Sequence, residues 1–331
     1  MTLKDSMMRK VLVTGGAGYI GAVTVYHLLQ AGYEPIVVDN LSRGHRHNVD
    51  ARRLHVLDLA ETGALAELMQ SESVSAVVHF AAFAAVAESV ENPGLYFSNN
   101  VAGSISLLRA MEQAGVQHLV FSSTAAVYGT PDVVPIPEDA PLRPVNPYGE
   151  SKLMVEKILG WLERCRGLRS ISLRYFNACG ADLEAGLGEE HEPETHLIPL
   201  LLRAVRTGQP ATVYGNDYPT PDGTCIRDYI HVTDLAQAHI LALQALRRGA
   251  PSAAFNVGTG SGHSVLEVLR AVESVTGQPV PHQIGPRRPG DPPSLVADPA
   301  RLMSVLGWKP RYTEIRDIIA TAWEFEHKRS A

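Results

Sequence analysis

From about residue 10 to residue 175, short apolar runs alternate with longer stretches in which apolar residues recur three and four positions apart. Val11-Leu12-Val13 ends at a glycine turn, and Tyr19 to Ala31 then carries helical apolar spacing up to a stop at Gly32. Pro35-Ile36-Val37-Val38-Asp39 reads as a second strand with an acid at its end, and Leu54-His55-Val56-Leu57-Asp58 repeats that pattern. Ala76-Val77-Val78-His79-Phe80 and Leu119-Val120-Phe121-Ser122-Ser123 supply two more buried strands, separated by a long helical stretch from Leu95 to Ala114. A helix from Pro147 to about Arg166 leads to a sixth strand, Ser170 to Tyr175. Strands alternating with helices imply right-handed crossovers, so the expected fold class is α/β: a Rossmann-like, doubly wound parallel sheet.

Beyond Asn177 the character changes. The stretches Cys179 to Pro199, Tyr214 to Thr224 and Gly285 to Pro293 are rich in Gly, Glu and Pro, with short helices between them. Two units are expected: a Rossmann unit over 9–177, to which some later segments return, and a smaller α/β region over 178–331. The second should pack over the carboxyl ends of the strands. Neither internal repeats nor low-complexity segments interrupt the chain.

Composition narrows the partners. The 331 residues are 45% hydrophobic and 19% charged, an ordinary globular balance, and 29 basic against 35 acidic residues give a net charge of -6. That leaves no electrostatic footprint for nucleic acid and favours a small partner. Cys165, Cys179 and Cys225 lack CxxC spacing, so they read as reduced thiols, not as a disulfide framework or zinc site. The longest apolar candidate, Leu197 to Val205, contains Pro199 and Arg203, so no membrane helix is expected. Met1 to Lys10 is polar and shows no signal-peptide core; the cytoplasm is the default location. Met1 to Met8 look like a dispensable leader, with Met7 or Met8 as a possible true start.

The turn Gly15-xx-Gly18-xx-Gly21 sits between the first strand and helix. The first glycine permits the tight turn, the second lets a pyrophosphate approach the backbone, and the third allows close helix packing. Asp39 follows about 20 residues later at a strand end, where a carboxylate accepts from a ribose diol and repels a 2'-phosphate, favouring NAD over NADP; capping a turn is its other reading. Tyr148 and Lys152 lie at i and i+4, on one helix face, so the ammonium can sit beside the hydroxyl and favour phenolate. Bringing a tyrosine from about 10 to about 7 needs roughly 4 kcal/mol, which a lysine together with a cationic nicotinamide can supply.

Glycine turn, Asp39, Asp58, Phe80-Ala81-Ala82, Asn99-Asn100, Ser122-Ser123-Thr124 and Tyr148-xxx-Lys152 occur in the order found in extended short-chain dehydrogenase/reductases, which the chain resembles over nearly its whole length. More narrowly it is similar to the UDP-glucose 4-epimerases. The residues that carry this are Val127-Tyr128-Gly129, Arg174-Tyr175-Phe176-Asn177, the run from Gly215 to Val232, and Arg287-Arg288-Pro289-Gly290-Asp291.

The resemblance implies an NAD-dependent isomerase that interconverts UDP-glucose and UDP-galactose through a 4-keto sugar. Tyr148 would take the proton from the sugar 4-hydroxyl, Thr124 would bond the same oxygen, and Lys152 would hold the ribose and lower the tyrosine pKa. It also implies cofactor contacts from Gly15, Gly18, Tyr19, Ile20, Gly21, Asp39, Asn40, Leu41, Ser42, Arg43, Gly44, Asp58, Leu59, Phe80, Ala81, Ala82, Asn99, Ser122, Tyr148, Lys152 and Phe176, with Asp58 on the adenine amine and Phe176 against the nicotinamide. Related dehydratases and decarboxylases carry acidic residues directly after the threonine; Ala125 and Ala126 stand there and cannot move protons.

On the UDP-sugar side the resemblance implies Thr124, Asn177, His196, Leu197, Tyr214, Arg227, Arg288, Asp291 and Leu295. Arg227 and Arg288 suit a diphosphate, or else pair with Asp228 or Asp291. Ala84 replaces a lysine that some epimerases place beside the cofactor, and His196 an asparagine. No further ligand cluster accompanies His191 and His196, so no metal is expected. Leu295 leaves more room than the tyrosine of some relatives, which would admit an N-acetylated hexosamine. Other readings are a 4-epimerase of UDP-N-acetylhexosamines or UDP-pentoses, and a silent NAD-sensing Rossmann protein. A homodimer is implied, paired through Leu95 to Ala114 and Pro147 to Arg166, where Ile105, Leu108, Met111, Leu153 and Ile158 permit a four-helix bundle.

Overall fold

The computed structural model describes residues 10–288 and 290–330; the Met1 to Met8 leader expected from the sequence, and Pro289 of the arginine motif, lie outside them. Strands β1 (Lys10–Thr14), β2 (Glu34–Asp39), β3 (Leu54–Val56), β4 (Ala76–His79), β5 (His118–Thr124) and β6 (Arg169–Tyr175) form the expected parallel sheet. Later in the chain come β7 (Asn177–Cys179), β8 (Ala211–Tyr214), β9 (Ile226–His231), β10 (Ala253–Val257), β11 (Gly262–Ser264), β12 (His282–Gly285) and β13 (Ser294–Leu295). β10 joins the first sheet beside β6, giving seven strands in the order β10-β6-β5-β4-β1-β2-β3.

Alternation along these strands builds the two faces of the sheet. Val11, Val13, Val37, Val78, Val120 and Ile171 point to one side, where they pack with Leu28 of helix Tyr19–Gln30 and with Leu235 and Leu243 of helix Val232–Arg247. Leu12, Ile36, Val38, Val77, Leu119 and Phe121 point to the other, against Leu65, Met69, Leu107, Met111, Val155 and Leu159 from helices Thr62–Ser71, Gly103–Ala114 and Pro147–Arg166. Both faces are covered, which is why these strands read as unbroken apolar runs.

β1 and β4 are neighbours, and the chain departs from them in opposite directions. The helices that follow therefore leave a crevice at the strands' carboxyl ends, the position at which doubly wound sheets bind ligands. Over that crevice stands the second region. Its β9 pairs with β7, β11 and β13; β8 pairs with β12; and Ile198, Leu201, Leu202, Val268, Val272, Ile318 and Ile319 form its separate core.

Helix Pro147–Arg166 starts where Asn146 Oδ1 accepts from the Gly149 N–H at 2.8 Å and Pro147 takes the first helical position; it stops at Gly167, φ 74°. The stretch expected as one helix from Leu95 to Ala114 is instead divided. Pro93–Tyr96 is α-helical, Phe97–Ala102 is a π-helical turn, and Gly103–Ala114 is α-helical again. One extra residue in that turn leaves Asn100 buried, where its amide reaches Phe83 and Ser151. Among the described residues no helix is long and apolar enough to cross a membrane.

Candidate active site

A single cavity of about 1480 Å³ runs from the glycine turn, across the ends of β1, β4 and β5, to β8, β9 and β13 of the second region. Small-molecule pockets usually measure about 300–1,000 Å³, so this one has room for a dinucleotide and a second nucleotide-sized ligand side by side.

At its first end the turn is as tight as its glycines allow. Gly15 has φ 69°, and a Cβ there would stand 2.5 Å from the Ala81 nitrogen; one on Gly21 would stand 2.2 Å from the Gly15 oxygen. At Gly18 a Cβ would meet only that oxygen, at 3.4 Å, so the backbone lies open to a ligand at a helix N-terminus that no side chain caps. Asp39 is buried; its Oδ2 accepts from the Ala17 N–H at 3.0 Å and its Oδ1 from the Leu41 N–H at 2.8 Å. Turn-capping is therefore one real role of this carboxylate, and lone pairs remain for a diol. Asp58 accepts from Asn40 Nδ2 at 2.8 Å and from the Ala60 N–H at 2.9 Å, the bonds that lower its pKa, with the Ala60 bond the larger influence.

Of the residues expected on the cofactor side, Gly15, Gly18, Tyr19, Ile20, Gly21, Asp39, Asn40, Ser42, Arg43, Gly44, Asp58, Leu59, Phe80, Ala81, Ala82, Asn99, Ser122 and Phe176 line the cavity. Leu41 does not. It has φ 60° and its N–H is turned onto Asp39, so it shapes the loop rather than the wall.

Tyr148 stands in the first turn of its helix, facing the end of β5. Burial raises the phenol above its ordinary pKa, and a hydrogen bond with Thr124 acts the other way. The Thr124 oxygen already accepts from the Ala126 N–H at 3.1 Å, so its own proton is free to be donated to Tyr148. Lys152, one turn along, has a main-chain partner as well as its place beside Tyr148 in sequence. Its Nζ donates to the Ser122 carbonyl at 2.8 Å and lies 5.0 Å from the centre of the Phe121 ring. Burial lowers its pKa to about 7. Tyr175, a cavity residue not singled out from the sequence, hydrogen-bonds Ser122 Oγ through its hydroxyl, and burial raises its pKa.

Thr124, Asn177, His196, Leu197, Tyr214, Arg227, Arg288, Asp291 and Leu295 line the same cavity toward its other end. Arg227 donates to the Ile226 carbonyl at 2.8 Å and approaches Asp291 at 3.5 Å. Arg288 lies 3.9 Å above the centre of the Tyr214 ring. Asp228 is a structural tie: its carboxylate accepts from the backbone of Thr259, Gly260 and Ala297. Ala84, Ala125 and Ala126 also face the cavity and carry no titratable group.

One expectation needs correcting. His191 and His196 are accompanied by Glu189 and Glu194, and ligand atoms of all four lie within 4.8 Å of one another. Their spacing, Glu-x-His-x-x-Glu-x-His, is visible in the chain, but the expectation of no metal counts the two histidines without these carboxylates as ligands. As it stands, burial opposes a charge on His196, and Glu189 and Glu194 override it, holding its pKa up at about 10.

Residues 11–258 match the model of the NAD dependent epimerase/dehydratase family. The chain is 49% identical to a UDP-glucose 4-epimerase of Lactobacillus helveticus over 321 residues, 96% of this chain and 97% of that one. Among solved structures it is similar to a UDP-glucose 4-epimerase from Brucella ovis in complex with NAD (TM-score 0.92, 47% identity, 96% and 98% of the two chains). It is similar also to one from Stenotrophomonas maltophila with bound NAD and formylated UDP-arabinopyranose (TM-score 0.93, 43% identity, 97% and 99% covered). With its parallel seven-stranded sheet, open glycine turn and Tyr148-xxx-Lys152 at the end of β5, the chain belongs to the NAD dependent epimerase/dehydratase family, among the UDP-glucose 4-epimerases.

Proposed function

We infer that the chain interconverts UDP-glucose and UDP-galactose by inverting C4 of the hexose through a transient 4-keto sugar, with NAD as resident cofactor. The observation that carries this reading is one continuous cavity joining the glycine turn, the Tyr148/Thr124 pair and two arginines. The open backbone at Gly18, the free helix N-terminus and the Asp39 carboxylate fit a dinucleotide. When bound, NAD supplies the hydride acceptor for the sugar C4 and a positive nicotinamide ring.

The chain's own groups then manage one proton and one orientation. Tyr148 removes the proton from the 4-hydroxyl and later returns it, while Thr124 donates to the oxygen between them, strengthening as charge develops. Lys152 holds the cofactor ribose with the donors that Ser122 leaves free. Arg227 and Arg288 anchor the diphosphate, Tyr214 packs on the uracil, and Asn177, His196, Leu197, Asp291 and Leu295 bound the sugar and phosphates. Because the anchor is the diphosphate, the keto sugar can turn about that linkage and present its other face to the same proton donor. Ala125 and Ala126 offer no second acid or base, so elimination and decarboxylation lack a catalyst here.

Outward-facing Met154 and Trp161 on helix Pro147–Arg166 support a homodimer paired through that helix. Leu108, Met111 and Leu153 belong instead to the protomer's own core. A cytoplasmic location accords with the lack, among the described residues, of a membrane-length helix.

The test is turnover of UDP-galactose by purified protein with no cofactor added. Conversion to UDP-glucose without net NADH is expected, and stoichiometric NADH would refute epimerisation. Tyr148→Phe should lower kcat about 10³-fold while leaving nucleotide binding intact; near-normal turnover would remove Tyr148 from the role of base.

A further inference from the structure

We propose that Glu189, His191, Glu194 and His196 bind one tetrahedral divalent cation of the zinc type, in the wall of the cavity where helix Leu197–Thr207 begins. The argument is independent of the epimerase reading.

The donor set is two imidazole nitrogens and two carboxylate oxygens, a combination that suits zinc and its transition-metal neighbours; calcium and magnesium take six or more oxygens. Bonds of about 2.0–2.2 Å to a tetrahedral centre put the ligand atoms roughly 3.3–3.6 Å apart. Here Glu189 Oε1 stands 3.1 Å from His191 Nδ1 and 2.7 Å from His196 Nδ1. Glu194 Oε1 stands 2.9 Å from His196 Nδ1, and its Oε2 3.8 Å from His191 Nδ1. One ligand atom from each residue lies within 4.8 Å of the others, so centring an ion asks the shortest pairs to open by about half an ångström and the longest to close by roughly one.

Burial gives the cluster a reason to take a cation. Glu189 is 8% exposed, and the His196 ring at 2.7 Å supplies the positive partner that a carboxylate withdrawn from water needs; a divalent cation would take over that role with twice the charge as the ring gives up its proton. The segment is also held from behind: His191 packs edge-on against Tyr19, ring centres 6.2 Å apart, and the Tyr19 hydroxyl donates to the Gly180 carbonyl at 2.6 Å. Four protein ligands leave no open coordination position, so the ion would brace the loop rather than activate water. It would also leave Nε2 of His196 as that ring's one free nitrogen, fixed as an N–H donor on a residue that faces the cavity.

The experiment is a zinc titration of EDTA-treated, full-length protein in competition with a chromophoric chelator, repeated with Co²⁺ as a spectroscopic probe. The expected result is one zinc per chain with a dissociation constant below about 1 µM, and the visible absorption of tetrahedral cobalt. In His191→Ala/Glu194→Gln binding should weaken at least about 100-fold and the cobalt bands should vanish. Glu194→Gln alone, which keeps side-chain volume, carries the same comparison if the double variant does not fold. Substoichiometric zinc, or equal binding by parent and variant, would overturn the proposal and leave the four residues as a charge-paired network only.

Discussion

The Lys152 ammonium donates to the main-chain carbonyl of Ser122 at 2.8 Å, tying the second turn of helix Pro147–Arg166 to β5. With Phe121 beneath it, the side chain is 3% exposed, and burial lowers its pKa to about 7.

This has a sign that unfolding can read. Below about pH 7 the folded and unfolded chains both carry the lysine proton, and the full cost of burying the charge is present. Between about 7 and the ordinary 10.5 the unfolded chain binds a proton that the folded chain has released, so this lysine's penalty fades as pH rises. Lys152→Met should therefore stabilise the cofactor-free protein at pH 6, by on the order of 2–4 kcal/mol, and by much less at pH 10. Urea unfolding of both proteins across that range checks it. A difference that stays constant with pH would show the lysine to be charged throughout.

Asp39 joins two turns to one carboxylate, through the Ala17 and Leu41 N–H groups. Asp39→Ala should weaken NAD binding about 10- to 100-fold, from loss of a charged acceptor, and should narrow the gap between NAD and NADP. Fluorescence titration with the two nucleotides measures both effects. Unchanged NAD affinity would leave the residue a turn cap alone.

A buried ion pair joins β6 to helix Pro147–Arg166. Arg174 donates to Glu156 at 2.6 and 3.0 Å and to the Tyr128 hydroxyl at 3.0 Å, and Tyr128 in turn donates to Asn256 at 2.7 Å. Glu156→Gln would strand a buried guanidinium charge and should cost about 3–5 kcal/mol of stability. Denaturant midpoints of the two proteins decide this, and a loss under about 1 kcal/mol would mean that water reaches the pair.

Much of this molecule could be read from its chain because its signals are local. Runs such as Val11 to Val13 are buried on both faces and look it, and Asn146-Pro147 and Gly167 mark a helix at both ends. Gly15 and Gly21 announce a backbone that tolerates no Cβ. What could not be read depends on partners brought from elsewhere. Nothing near Lys152 in sequence reveals that a carbonyl of β5 will take its proton donors, nor that Tyr175, at the end of a strand, will reach the cavity. The π-helical turn escaped because the apolar spacing continues through it with one residue too many. Glu189 and Glu194 join two histidines only through the fold of their loop, which no local pattern announces.

The seventh strand has a consequence for synthesis. A nascent chain released from the ribosome only as far as Asn177 holds six parallel strands whose last, β6, has an open edge, and whose inner face still lacks Leu235 and Leu243. Closure waits for β10 and helix Val232–Arg247, so the part of the second region that carries β7, β8 and β9 must emerge first. The nucleotide end of the cavity can thus mature only after most of its sugar end exists, and a truncated messenger would yield a sticky half-sheet rather than a working dinucleotide module.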